Sequence, residues 1–179
     1  KVVMVPNKKY HGKKANLDRL EIVYIDDAST KMMEYEQGNI DMCDLDTSLL
    51  DQYKDSDLKD EITQVTPLGT YFLSIKDNDP VLSNKAVREA ISLAINRKEL
   101  CSTVLNGAAE PASSFLNPSV PGHDDKLKTY EHNVKKAKQV LADAGISNPT
   151  FTCKVRQKEE KIATALQAYL KEAGITMNV

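Results

Sequence analysis

Three histidines, three cysteines and two pairs of adjacent aspartates are the side chains of this chain whose types could carry out chemistry. A metal centre needs several His, Cys or carboxylate donors at one point, and His123, Asp124 and His132 are the set close enough in sequence to meet. All three, like His11, stand among polar neighbours, the usual setting of a solvated loop. The pairs Asp26-Asp27 and Asp124-Asp125 are adjacent in turn-forming stretches, whereas acid and base carboxylates must face a substrate from opposed positions. Cys43, Cys101 and Cys153 are odd in number and widely spaced, which fits neither a zinc pair nor a complete disulfide framework. They read as small buried hydrophobes, and Cys101 as no catalytic thiol. The sequence holds no Gly-x-Ser-x-Gly elbow, no glycine-rich phosphate loop and no His-Glu-x-x-His. The reading is therefore of a protein that is not an enzyme, with no cofactor and no metal. A small metal-dependent hydrolase centred on His123 is the remaining catalytic alternative.

If catalysis is set aside, function must come from a surface that the elements of the fold hold in place. At 179 residues and 41% apolar content the chain can build a core of one domain or two small ones. A net charge of −2 with interleaved Lys and Asp/Glu gives no basic stripe for nucleic acid or an anionic membrane. No apolar run reaches the roughly 20 residues of a membrane-spanning helix.

The clearest element lies over 85–99. Val87, Ala90, Ile91, Ala94 and Ile95 fall at i, i+3, i+4, i+7 and i+8, and Asn84 stands where an N-cap accepts the first free amides. Further helices are expected over 28–37, stopped by Gly38, over 47–53, over 134–144, stopped by Gly145, and over 159–173, stopped by Gly174. Strands are expected over 20–25, 40–43, 62–66, 69–75 and 150–155, and after Gly174. Alternating strands and helices argue for α/β layers. The segments Leu141-Ala-Asp-Ala-Gly-Ile146 and Leu170-Lys-Glu-Ala-Gly-Ile175 echo each other, which we read as the same helix-stop chemistry used twice.

Four segments in one order carry a resemblance. Asn7-Lys-Lys-Tyr-His-Gly-Lys13 with Leu17-Asp-Arg-Leu-Glu-Ile-Val23 is one, and the helix ending in Gly38-Asn-Ile-Asp41 is the next. Val87-Arg88-x-Ala90 with Ala94-Ile-x-Arg97, and then residues 130–145, complete the set. Together they resemble the extracellular solute-binding proteins of family 5, the oligopeptide- and dipeptide-binding components of ABC transporters. The chain departs from that pattern at Asn96 and Asn84, where Asp is usual, and at His11, where Trp is common.

The resemblance implies an α/β fold, a fragment of the periplasmic-binding-protein-like type II architecture with mixed sheets and helices packed on them. Family members are several hundred residues long, so the chain reads as an excised piece. Residues 1–68 would belong to the first lobe and 69–179 to the second, peptide-binding lobe. The implied function is the binding of oligopeptides or dipeptides in the cleft between two lobes and their delivery to the membrane permease. Its partners are then a peptide ligand and permease subunits, with no nucleic acid. The implied location is periplasmic or at the extracellular surface, membrane-anchored in the full-length protein. Relatives carrying nickel complexes, haem or oligosaccharides, and transcriptional regulators that borrow the fold for ligand sensing, are the alternatives.

The ligand-binding residues implied are Gly69, Thr70, Tyr71 and Phe72, on a strand whose main chain can pair with an extended peptide. A missing Cβ at Gly69 would let another backbone come close. Taken without the resemblance, Pro67-Leu68-Gly69 is a turn, and Tyr71 and Phe72 are core and rim residues. The acidic partner of the peptide's α-ammonium falls beyond Val179 by the same resemblance, and Asp77, Asp79 and Asp124 are not assigned that role.

Overall fold

A computed structural model describes residues 1–65, 67–124 and 126–179, and divides into two compact units, Lys1–Ser56 and Asp57–Val179.

In the first unit, β1 (Val2–Met4) pairs antiparallel with β2 (Leu20–Ile22), Val3 opposite Glu21. Glu21 accepts a hydrogen bond from Arg19 Nε at 2.7 Å and pairs with Lys1, and these contacts hold its carboxyl below the usual range. Every residue of both strands is exposed, so the ribbon adds nothing to a core. Helix α1 (Ala28–Glu36) starts at Asp27, whose Oδ1 accepts from both the amide and the hydroxyl of Thr30 at 2.7 Å. The buried members of this unit are Met32, on α1, and Tyr53, which ends the one-turn helix α2 (Leu50–Tyr53) and donates its hydroxyl to Glu36 Oε1 at 2.8 Å. Cys43 lies against Met32, with its Sγ 3.7 Å from the thioether.

The second unit owns the main core. A 3-10 turn (Lys59–Glu61) precedes α3 (Lys85–Ala94), where the expected stripe buries Val87, Ala90, Ile91, Leu93 and Ala94. The helix starts as read, with Asn84 Oδ1 accepting from Ala86 N at 2.9 Å. It ends earlier than expected. Ile95 is extended, and Asn96 opens a new turn, α4 (Arg97–Glu99), by accepting from Glu99 N at 3.2 Å and donating to Glu99 Oε2 at 2.8 Å. Asp could cap this turn as well as Asn, but only the Asn amide can also donate to Glu99. A π turn (Leu100–Val104) follows and buries Cys101.

Helix α5 (Val134–Asp143), capped by Asn133 Oδ1 from Lys136 N at 2.8 Å, packs on α3. Then β3 (Thr150–Thr152), a 3-10 turn (Gln157–Glu159), α6 (Glu160–Glu172) and β4 (Thr176–Asn178) form a βαβ unit, β3 and β4 pairing parallel with Phe151 opposite Met177. Helix α6 packs on α3 and β4, and Leu170, Ala173 and Ile175 are buried where they meet. The echo between the two helix ends is one motif built twice. Gly145 and Gly174 take φ of 67° and 79°, Ile146 N donates to Leu141 O and Ile175 N to Leu170 O, each at 2.9 Å, and both isoleucines turn back toward the core.

Three expected strands are absent among the described residues: 40–43, 62–66, whose last residue Thr66 lies outside those described, and 69–75. Among the described residues none of the three finds a main-chain partner to complete a ladder. Conversely β1 was not anticipated, since its near-continuous apolar run lacks alternation. The strand expected over 150–155 stops at Thr152, with a single further bond from Cys153 N to Asn178 O at 2.7 Å.

Two arginines tie this unit together through main-chain carbonyls. Arg88 Nη1 donates to Leu82 O at 2.9 Å and Ser83 O at 2.7 Å. Arg97 donates to Ser92 O and, across the unit, to Tyr130 O, while Asn133 N bonds Leu93 O at 2.8 Å. Their charge is spent on chain path, which apolar packing alone does not demand.

Candidate functional site

Within the second unit, burial alternates over residues 72–76 as in extended chain, while 67–69 and Tyr71 are all exposed. Leu73 and Ile75 are half-buried against the core, while Phe72, Ser74 and Lys76 are exposed. Among the described residues, no N–H or C=O of 70–75 pairs with another main-chain group. Such groups are obligatory donors and acceptors, and where this segment is exposed they are left to water.

Gly69 is exposed and its φ lies outside the left-handed region, so no turn demands glycine here. A Cβ built on it would meet no described atom within 4 Å, so no neighbour demands glycine either. Gly12 is the contrast, where a Cβ would stand 2.8 Å from the ring of Tyr10. Thr70 is half-buried, and Tyr71 and Phe72 are 72% and 62% exposed. The core-and-rim reading of the two aromatics therefore does not hold.

The proline-rich stretch 107–122, read from sequence only as irregular loop, reaches this segment. Asn117 Nδ2 donates to Pro67 O at 3.1 Å and Gly69 O at 3.3 Å, while its Oδ1 accepts from Ser119 N at 2.9 Å. Phe115, 69% exposed, meets Phe72 edge to face with ring centroids 5.0 Å apart and planes at 64°. The loop is braced by His123 Nδ1 against Leu116 O at 2.7 Å and by Ser114 Oγ to the same carbonyl at 2.9 Å. Asn117 escaped the sequence reading because an Asn-Pro dipeptide in a loop ordinarily marks only a turn.

Arg156 was also missed. It precedes the turn into α6, where a basic side chain opposes the helix dipole, and Arg156-x-x-Glu159 was the signal. Glu159 Oε2 accepts from Arg156 Nε at 3.0 Å, and Nη2 completes a two-point pair with Oε1. The pair holds Glu159 low and Arg156 high. The guanidinium remains 71% exposed, with N–H groups facing water.

Elsewhere, a shallow depression of about 580 Å³ adjoins β3 and α6, lined among others by Lys154, Glu160 and Thr164, and one of about 410 Å³ lies along the first unit's ribbon. Neither is lined by Gly69, Thr70, Tyr71 or Phe72. Among the described residues no three His, Cys, Asp or Glu side chains gather as metal donors, and His123 bonds the loop carbonyl instead. Asp125, the second member of its aspartate pair, lies outside the described residues. The thiols are unpaired with one another, and burial pushes those of Cys43 and Cys101 up, away from the thiolate. No helix of the described residues is long and apolar enough to cross a membrane.

Residues 1–179 match the family model described as bacterial extracellular solute-binding proteins, family 5 Middle. The chain is similar to a nickel-binding periplasmic protein of Escherichia coli, 31% identical over 82% of this chain and 29% of that protein. It is also similar to haem-binding protein A of Haemophilus influenzae, 28% identical over 80% and 26%. Among solved structures, the periplasmic binding protein DppA of Helicobacter pylori in complex with the peptide STSA superposes with a TM-score of 0.76 and 26% identity, covering 98% of this chain and 35% of that one. The chain thus spans about a quarter to a third of the length of the proteins it matches. The fold is that of the periplasmic binding proteins, α/β with both antiparallel and parallel strand pairs.

Proposed function

This chain belongs to the bacterial extracellular solute-binding proteins of family 5, and on that premise we propose that it is part of the solute-binding component of an ABC importer whose cargo is oligopeptides or dipeptides. Residues 1–68 are assigned to the first lobe and 69–179 to the peptide-binding lobe. Cargo is held in the cleft between the lobes of the whole protein and handed to the permease subunits. The whole protein works in the periplasm or at the extracellular surface, anchored to the membrane.

The observation that carries the peptide reading is the main chain of 70–75, whose polar groups have no main-chain partner among the described residues, beside a glycine that no described neighbour requires. An extended peptide supplies the complementary donors and acceptors whatever its sequence, which gives affinity without strict specificity. Gly69 admits the guest backbone, Thr70 and Tyr71 offer polar atoms, and Phe72 offers apolar surface. Arg156, largely in water, keeps N–H groups beyond those it gives to Glu159, and these suit a cargo carboxylate.

The test is thermal unfolding of the full-length protein with di- to hexapeptides, nickel complexes, haem and oligosaccharides. A ligand at about 100 times its Kd stabilises by about 2.7 kcal/mol. Peptides are expected to raise the melting temperature. A response confined to nickel complexes or haem, which the printed names of two relatives bring into the comparison, would keep the family and remove the peptide cargo.

A further inference from the structure

Resting on that reading, we infer that Phe72 and Phe115 form an aromatic platform that selects peptides carrying an aromatic or large apolar side chain at the residue paired with Phe72. The two rings come from segments more than 40 residues apart and meet edge to face, yet each stays more than three-fifths exposed. Rings that served only to pack the loop onto the strand would bury most of their surface in doing so. What holds the loop is the Asn117 amide, bonded to Pro67 O and Gly69 O, so the Phe115 ring is positioned by polar contacts and its apolar faces remain available.

The alternation of the strand decides which guest residue meets the platform. Leu73 and Ile75 face the core, so Phe72 lies on the opposite side of the segment with Ser74. A guest strand added along 69–75 places the side chain of the residue opposite Phe72 about 5 Å away, Cβ to Cβ, on the same side. That side chain reaches the Phe72 and Phe115 rings together, whereas its neighbours in the peptide point away from them. The aromatic quadrupole favours a third ring edge-on or offset against the pair. Recognition of cargo by main chain alone would be indifferent to side chains, and the platform supplies preference at a single position.

The test uses the full-length protein and titration calorimetry with tetrapeptides in which each position in turn is Ala, Leu or Phe. In the wild type, Phe at one position, and not at the positions beside it, is expected to bind roughly three- to tenfold more tightly than Ala. In Phe115→Ala the ratio of the two affinities collapses toward one, and in Phe115→Tyr it recovers. Peptide binding with no positional preference in the wild type, or a preference untouched by Phe115→Ala, overturns the platform while leaving the peptide reading standing. Absence of any peptide binding overturns both. A fall in the unliganded melting temperature of Phe115→Ala with no change in the affinity ratio would assign the rings to the protein's own packing and overturn the platform as well.

Discussion

Replacing Gly69 by Ala should move stability and binding in opposite directions. Within the chain the methyl meets no described atom within 4 Å, and the backbone already lies where any residue is at ease. Gly→Ala under those conditions stabilises by about 0.4–1 kcal/mol, because the unfolded chain loses freedom and the folded chain loses nothing. The unliganded melting temperature of the full-length protein should therefore rise by about 1–4 °C, at about 2–4 °C per kcal/mol for larger domains. A guest backbone lying against the Cα would be pushed outward by the same methyl. If two main-chain hydrogen bonds of about 1 kcal/mol each are lost, the Kd for a peptide rises about 30-fold. Thermal scans without ligand and calorimetric titrations with peptide, on the same preparations, read both quantities. A lower unliganded melting temperature would mean that Gly69 serves the fold itself. An unchanged Kd would mean that no backbone approaches it, and the strand-addition argument would fail with it.

Leu170 is fully buried where α6 meets the core, and Leu170→Ala should lose about 3–4 kcal/mol in urea unfolding followed by circular dichroism. Asp79 Oδ1 accepts from Val81 N and Leu82 N at 2.9 Å each, and these bonds hold its carboxyl below the ordinary value. Because the folded value is the lower one, the stability it contributes is fully present above the unfolded value of about 3.9 and is lost as pH falls through the folded value. The melting-temperature gap between wild type and Asp79→Asn should accordingly close on acidification, and a gap that widened would reverse the assignment. The ribbon of β1 and β2 exposes Val2, Val3, Met4, Leu20 and Ile22, so the 179-residue chain studied alone should self-associate in concentration-dependent light scattering, and Val3→Lys should reduce this.

Helices were legible because their evidence is local. The stripe of α3, the Asn84 cap and the glycine stops of α5 and α6 are each contained within a dozen residues, and the structure places all of them as read. The break after Ala94 was not read, because the stripe ran on through Ile95, and the cap that Asn96 makes with Glu99 shows only in the structure. Strands were harder. Residues 69–75 alternate correctly, but a ladder is a property of two segments and the second is not written in the first. The candidate site follows the same division. Gly69 and Phe72 were singled out only through the family resemblance, whereas Asn117 and Phe115 reach that segment through contacts spanning about 40 to 50 residues. No periodicity records such a contact.

Arg88 and Arg97 fasten the second unit to carbonyl oxygens at Leu82, Ser83, Ser92 and Tyr130. Every residue type presents that same oxygen, so the four acceptor positions can exchange side chains with the bond intact, whereas neither donor has a substitute with the same reach and fork. Mutational tolerance here is one-sided, with two positions fixed and their partners released. Such ties let a scaffold drift far in composition while its chain path stays put.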